Sequence, residues 1–247
     1  MKIAPGVPFV ASATGDRLVF EVADAEYEGG VHLEIDGAEG SSSELPRFFD
    51  DEEIRYIQAI ESASRRGDYC RSRKAVKIAL AALTPTDPRA VEIVSGCLRQ
   101  PLLKVRGEYA SYQISLSHAG RYAAAFVFHP GLILGVDIEV VKSRAVDELA
   151  EYVTRDEIAR CVSLGMTSEQ AFTLVWTAKE ALMKAFRVGL GSEFRTAGVG
   201  SVAKNGDMFV STFEHHHHLR ALSWHKGDLI FTIVAPAATR NIERKGA

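Results

Sequence analysis

The chain has 247 residues, 47% hydrophobic and 25% charged, an ordinary globular composition that suits one large domain or two small ones. Its formal net charge is −3, with 29 Lys and Arg against 32 Asp and Glu, so it has no basic excess of the kind that binds nucleic acid. Three scattered cysteines, Cys70, Cys97 and Cys161, show no CxxC or metal spacing, and no run approaches the roughly 18 apolar residues of a membrane span. Reduced thiols and a poor leader at "MKIAPGVPFVASATGDR" suit a cytoplasmic protein.

In chain order, "RLVFEV" and "VHLEID" within 17–36 alternate loosely and predict two strands. "GAEGSSSELP" reads as a loop. The acids of "DDEEI" suit a helix N-terminus, so a helix is expected near 51–65. A second follows near 69–83 and ends before Thr84-Pro85. "VEIVSG" is a short strand. "SYQISLS" (111–117) alternates strictly, "HAG" turns into "RYAAAFVF", and "HPG" turns into "LILGVDIEVV", which predicts a three-stranded meander.

The HPG turn near 129–131 is the expected boundary between two halves, 1–130 and 131–247. Helices near 145–151 and 154–163 come next. The long helix "TSEQAFTLVWTAKEALMKAF" opens with Thr167 and Gln170 at capping-box spacing and stops near Gly189. "AGVGSV", "MFVSTF", "LRALSW" and "LIFTIVA" are closing strands. His215–His218 lie inside the chain and read as a solvated turn between strands; a further role for them is open. No sequence repeat proves duplication.

Asp137 and Glu139 stand at i and i+2 of a strand and leave one face, while Val136, Ile138 and Val140 leave the other. Two neighbouring carboxylates repel unless a proton or cation intervenes, and Mg²⁺ takes such ligands together with substrate phosphates. A solvated strand end explains the pair equally well. Trp176, Glu180 and Lys184 stack at i, i+4, i+8 on the long helix, and the apolar indole turns that stripe toward the protein body; the alternative is a surface Glu–Lys pair. Ser117 and His118 end a strand and could donate to phosphate or simply cap a polar hairpin. The basic run Arg65, Arg66, Arg71, Arg73, Lys74 and Lys77 could fork onto phosphate or form the outer face of an amphipathic helix.

"GVDIE", followed some forty residues later by "WTAKEALMKAFRVGL" and preceded by the Ser-His of "ISLSHAG", resembles the signature of the 4′-phosphopantetheinyl transferases, in their larger single-chain, surfactin-synthetase-activating (Sfp) type. The likeness spans about 111–190 and, more weakly, 50–101. It implies an α+β fold built as a pseudo-twofold pair of similar α/β subdomains, with the active site in the cleft between them, in a monomer. It also implies transfer of phosphopantetheine from coenzyme A to a serine of an apo acyl or peptidyl carrier protein, with Mg²⁺ as cofactor and adenosine 3′,5′-bisphosphate as the other product.

By that resemblance Asp137, Glu139 and Glu180 are the metal acids. Lys184 and Lys179 match the motif's lysines at the phosphates. Ser117, His118 and Arg71 match residues at the 3′-phosphate of coenzyme A, and Glu157 matches an acid proposed to help deprotonate the serine. Whether Glu157 or Glu180 is the base stays open. The family's Gly-Lys/Arg-Pro element corresponds to Arg99-Gln100-Pro101, without the glycine, so close backbone approach to the nucleotide is in question there and Arg99 would supply the charge. That departure motivates an alternative, a non-catalytic coenzyme A or nucleotide-binding module. A metal-dependent phosphohydrolase on the same carboxylates is a third reading.

Overall fold

The computed structural model describes residues 2–3, 15–35, 44–142, 152–188 and 194–245. The expected helix near 145–151 and the stop at Gly189 lie outside the described residues. The fold mixes α and β and divides into two compact units, Met1–Leu132 with Thr239–Ala247, and Ile133–Ala238. No described helix is long and apolar enough to cross a membrane.

In the first unit, β1 (Lys2–Ile3), β2 (Asp16–Val22), β3 (Ala25–Ile35), β7 (Gln113–Ala119), β8 (Tyr122–Phe128) and β14 (Thr239–Lys245) form a six-stranded sheet. Its order is β1-β14-β2-β3-β8-β7, antiparallel except for the β1–β14 pair. Because β14 pairs with β2, the C-terminal strand returns to the first unit rather than closing the second as the 131–247 division expected.

The helical segment expected as 51–65 and 69–83 forms α2 (Asp51–Ala59) and α3 (Ala63–Ala81), after a single-turn α1 (Leu45–Phe48). Asp50 caps α2 in a full capping box with Glu53, and the Ser62 hydroxyl starts α3, so the break falls at extended Ile60 rather than near residue 66. α3 buries Ala75, Val76, Ala79 and Leu80 against Ala123, Ala125 and Val127 of β8 and Ile114 of β7. It docks so closely that a Cβ at Gly30 of β3 would stand 1.9 Å from the Ala79 carbonyl oxygen. Three further strands, β4 (Val91–Ser95), β5 (Pro101–Val105) and β6 (Glu108–Tyr109), make a small antiparallel sheet.

In the second unit, β9 (Gly135–Val140), β10 (Val199–Asn205), β11 (Met208–Phe213), β12 (Leu219–Lys226) and β13 (Leu229–Pro236) form an antiparallel sheet in the order β10-β11-β12-β13-β9. The predicted meander is therefore only a hairpin: β7 and β8 pair across Gly120-Arg121, while β9 joins the other sheet beside β13. A tight turn such as "HPG" looks alike in sequence whether or not the strands it joins remain partners. α4 (Arg155–Val162) and α5 (Ser168–Phe186) complete the unit. The Thr167–Gln170 capping box starts α5, and Arg187 ends it in the left-handed conformation at φ 62°. α5 buries Phe172, Leu174, Val175, Ala178 and Leu182 against Phe213, Leu219, Ala221, Ile230 and Val234. Each large aliphatic among these contributes about 1.5–3 kcal/mol by burial.

Candidate active site

β9 carries the acid pair beneath the C-terminal half of α5. Gly135 makes the approach possible: a Cβ there would lie 2.0 Å from the Ala181 carbonyl oxygen and 2.5 Å from the Ala185 nitrogen. Asp137, two residues on and on the same face, is 2% exposed, and its register partner on β13 is Thr232. The Thr232 hydroxyl sits 2.9 Å from that of Thr177 on α5 and 2.8 Å from that of Ser223 on β12, a buried chain that ties helix and sheet together beside the acid. The face opposite is apolar and buried through Val136 and Ile138, as alternation requires.

α5 brings Glu180 and Lys184 to this strand. The Lys184 ammonium donates to Asp137 Oδ1 at 2.7 Å and lies 4.0 Å from Glu180 Oε2. Trp176, one turn before Glu180, packs among aromatics, stacked on Phe194 at 5.1 Å and Phe172 at 6.2 Å, with Tyr152 edge-on at 5.8 Å. The stripe Trp176–Glu180–Lys184 is half-buried, the line along α5 that solvent still reaches, while the residues between these three are buried. Among the described residues no three His, Cys, Asp or Glu side chains converge closely enough to hold a metal ion; the ammonium of Lys184 lies between Asp137 and Glu180 instead. The donor set itself, three hard carboxylates on adjoining strand and helix, is of the kind a divalent oxygen-seeking cation takes.

Lys179 and Glu157 stand elsewhere. Lys179, expected at the phosphates, is 2% exposed and donates to the Tyr152 carbonyl at 2.8 Å and to Glu157 at 2.8–2.9 Å. Glu157, also 2% exposed, accepts from the Thr154 N–H at 2.8 Å, the Thr154 hydroxyl at 3.1 Å and the Val199 N–H at 2.7 Å. Burial pushes its carboxyl up, but the hydrogen bonds from Lys179, Val199 and Thr154 outweigh it and hold it below the usual range. The carboxylate expected to help deprotonate the serine is thus engaged at the junction of α4, α5 and β10.

In the first unit the structure brings Arg71 to the hairpin that carries Ser117 and His118. Its guanidinium pairs with Asp68 at 2.6 Å and donates to the carbonyl of Gly120, at the β7–β8 turn, at 3.3 Å. Ser117 is buried and His118 exposed, on opposite faces of β7. Arg99 sits apart, exposed at the β4–β5 turn, where the Arg99 N–H donates to the Gly96 carbonyl at 3.0 Å. Four others of the basic run have local partners: Arg66 donates to the Ile60 carbonyl at 2.9 Å, Arg73 lies 3.5 Å over the Tyr69 ring, Lys74 pairs with Glu34 at 2.8 Å, and Lys77 is buried on Glu53 at 2.5 Å. His215–His218 form the β11–β12 turn, with the His216 ring 4.9 Å from Phe186.

Residues 133–234 match the 4′-phosphopantetheinyl transferase superfamily. The matched stretch is nearly coextensive with the second compact unit and holds Asp137, Glu139, Glu157, Lys179, Glu180 and Lys184. The resemblance carried by "GVDIE" and "WTAKEALMK" is thereby shown for that unit. Among solved structures the chain is similar to Thermotoga maritima holo-[acyl-carrier-protein] synthase at 21% identity, over 44% of this chain and 67% of that one, with a TM-score of 0.31, too low to speak for the fold. No curated protein matches the chain.

Proposed function

We propose that this protein transfers the 4′-phosphopantetheine group of coenzyme A to a serine of an apo acyl or peptidyl carrier protein. The observation that carries the reading is the arrangement of Asp137, Glu180 and Lys184, in which the Lys184 ammonium lies 2.7 Å from one acid and 4.0 Å from the other. That is a place built for cations, inside the segment that matches the family. In the reaction the serine Oγ–phosphorus bond forms, the phosphorus–oxygen bond to adenosine 3′,5′-bisphosphate breaks, and the serine proton passes to a base. Asp137, Glu139 and Glu180 would hold Mg²⁺, which when bound neutralises charge on the pyrophosphate. Lys184 meets the phosphate as a point charge, and Arg71, Ser117 and His118 bind the nucleotide's 3′-phosphate. Glu180, partly exposed beside Lys184, is the acid on this chain suited to accept the proton. The enzyme acts as a cytoplasmic monomer.

Arg99 keeps a left-handed backbone, φ 62°, the conformation a glycine would adopt there without strain, so the missing glycine does not by itself favour a non-catalytic module. The test is intact-mass analysis of a panel of apo carriers from fatty-acid, polyketide and peptide assembly, incubated with coenzyme A and Mg²⁺. Mass gain on any of them supports transfer. Tight coenzyme A binding without gain on any carrier points to the module instead, and phosphate release without carrier points to a hydrolase.

A further inference from the structure

We infer that Glu157 is a positioning residue that locks α5 to α4 and takes no proton from the substrate. The reason is that the chain builds the same knot twice, once without any acid pair beside it; the inference rests on the transferase reading above. In the second unit, Glu157 is the third residue of α4, capped by Thr154, and Lys179 of α5 reaches both Glu157 and the carbonyl of Tyr152, two residues before the cap. In the first unit, Glu53 is the third residue of α2, capped by Asp50. Lys77 of α3 reaches both Glu53, at 2.5 Å, and the carbonyl of Phe48, again two residues before the cap, at 2.9 Å.

The correspondence extends along both helices. Two residues after each lysine comes the alanine whose carbonyl oxygen crowds a strand glycine, Ala79 on Gly30 and Ala181 on Gly135. Those glycines open "GVHLEI" (30–35) and "GVDIEV" (135–140). With the lysines matched, Glu180 corresponds to Ile78 and Asp137 to His32, so the first copy retains the knot and lacks two of the three acids.

A device that recurs where Ile78 and His32 replace the acids serves the helix packing that the two units share. Each buried ammonium, with a carboxylate and a carbonyl as acceptors, fixes one helix against the start of another, and in the second unit that fixes the pitch at which Glu180 and Lys184 leave α5. Glu157 also clamps the start of β10 through the Val199 N–H, while Arg160, one turn on, donates to the Val199 carbonyl at 3.1 Å.

The deciding experiment compares Glu157→Gln and Glu53→Gln with wild type in thermal midpoint, and Glu157→Gln with wild type in the pH profile of transfer to an apo carrier. We expect both variants to melt lower. Glu157→Gln should lose rate by no more than about tenfold, with the acid limb of kcat in its original position, because general-base removal costs more, about 10²–10⁴-fold. Loss beyond a hundredfold with an unchanged midpoint and a displaced acid limb would overturn the inference. If wild type modifies no carrier, the transferase reading fails, and the melting comparison still decides: a lowered midpoint for both variants supports the pin, and an unaffected Glu157→Gln removes it.

Discussion

β3 and β9 occupy comparable places, each with a glycine under the backbone of a long helix, yet they differ in charge where it matters. On β9 and α5, Asp137, Glu139 and Glu180 supply three carboxylates, and Lys184 pairs with Asp137 at 2.7 Å and lies 4.0 Å from Glu180. On β3 the matching positions are His32, Glu34 and Ile78, and Glu34 is already answered by His32 at 2.8 Å and Lys74 at 2.8 Å. Burial pushes the Glu34 carboxyl up, but those two partners more than offset it and leave it below the usual range. The first unit thus pairs its acid from within. On the transferase reading, one scaffold carries a silent strand and a competent one, set apart by His32 in place of Asp137 and by Ile78 in place of Glu180.

The sharpest way to break that contrast is to remove the acids. Asp137→Asn should lower transfer by about 10²–10³-fold, the usual cost of removing one member of a charge-stabilising set. Glu34→Gln should leave the rate near wild type. Rates measured by carrier mass gain decide it: equal losses from both variants would mean that the first unit's strand is not silent.

The geometry of the acid strand was legible because its signal is local. Period-two alternation puts Asp137 and Glu139 on one face, and the i, i+4, i+8 stripe adds Glu180 and Lys184. The silent strand was not. "GVHLEI" shares only Gly, Val and Glu with "GVDIEV", too few residues to stand out until the helix docking shows that Gly30 and Gly135 do the same job. The Glu157–Lys179 knot was hidden for another reason: its members are 22 residues apart, bear on no periodicity, and took their expected roles from the family resemblance alone. The capping box at Thr154, with Glu three residues on, was the available clue that Glu157 is a helix-start residue. The exchange of β9 between sheets and the return of β14 are long-range pairings that no local pattern encodes.

The two buried lysines allow a second comparison. Lys179→Met strands Glu157, whose side chain is 3% exposed, and should cost about 3–5 kcal/mol, the usual penalty for breaking a buried pair. Lys77→Met strands Glu53, which is 13% exposed and can recover some hydration, so its cost should be smaller. Burial also holds the Lys77 ammonium below its usual pKa in spite of Glu53. Urea unfolding of both variants checks the order, and a larger loss at Lys77 would show that the two knots are not equivalent.

The glycines should behave alike. Gly30→Ala and Gly135→Ala each place a methyl about 2 Å from a helix carbonyl oxygen, so backbone must move; overpacking of this kind costs about 3 kcal/mol. A loss confined to one of them would end the correspondence between α3 on β3 and α5 on β9. Acid sensitivity is a gentler probe. The folded pKa of Glu157 is depressed below the ordinary 4.5, so the unfolded chain binds its proton first. Its contribution to stability is complete above that value and is lost as pH falls through the folded pKa. Wild type should therefore lose stability more steeply than Glu157→Gln on acidification below pH 4.5, as pH-dependent unfolding would show.

Arg99 tests the part of the first unit with no partner in the second, the β4–β6 sheet. Its left-handed backbone costs about 1–2 kcal/mol for a side-chain-bearing residue. Glycine would relieve that strain but surrender about 0.5–1 kcal/mol in chain entropy. Arg99→Gly should therefore be neutral to stabilising, by up to about 1.5 kcal/mol in thermal unfolding. Strain of this kind persists where something else requires the residue. If Arg99 supplies a guanidinium to the nucleotide of coenzyme A, the same variant should raise the KM for coenzyme A by about tenfold, the worth of one charge-assisted hydrogen bond, and leave kcat near wild type. A variant that gains stability and keeps its KM would show that the turn is strained for no reason connected with the substrate.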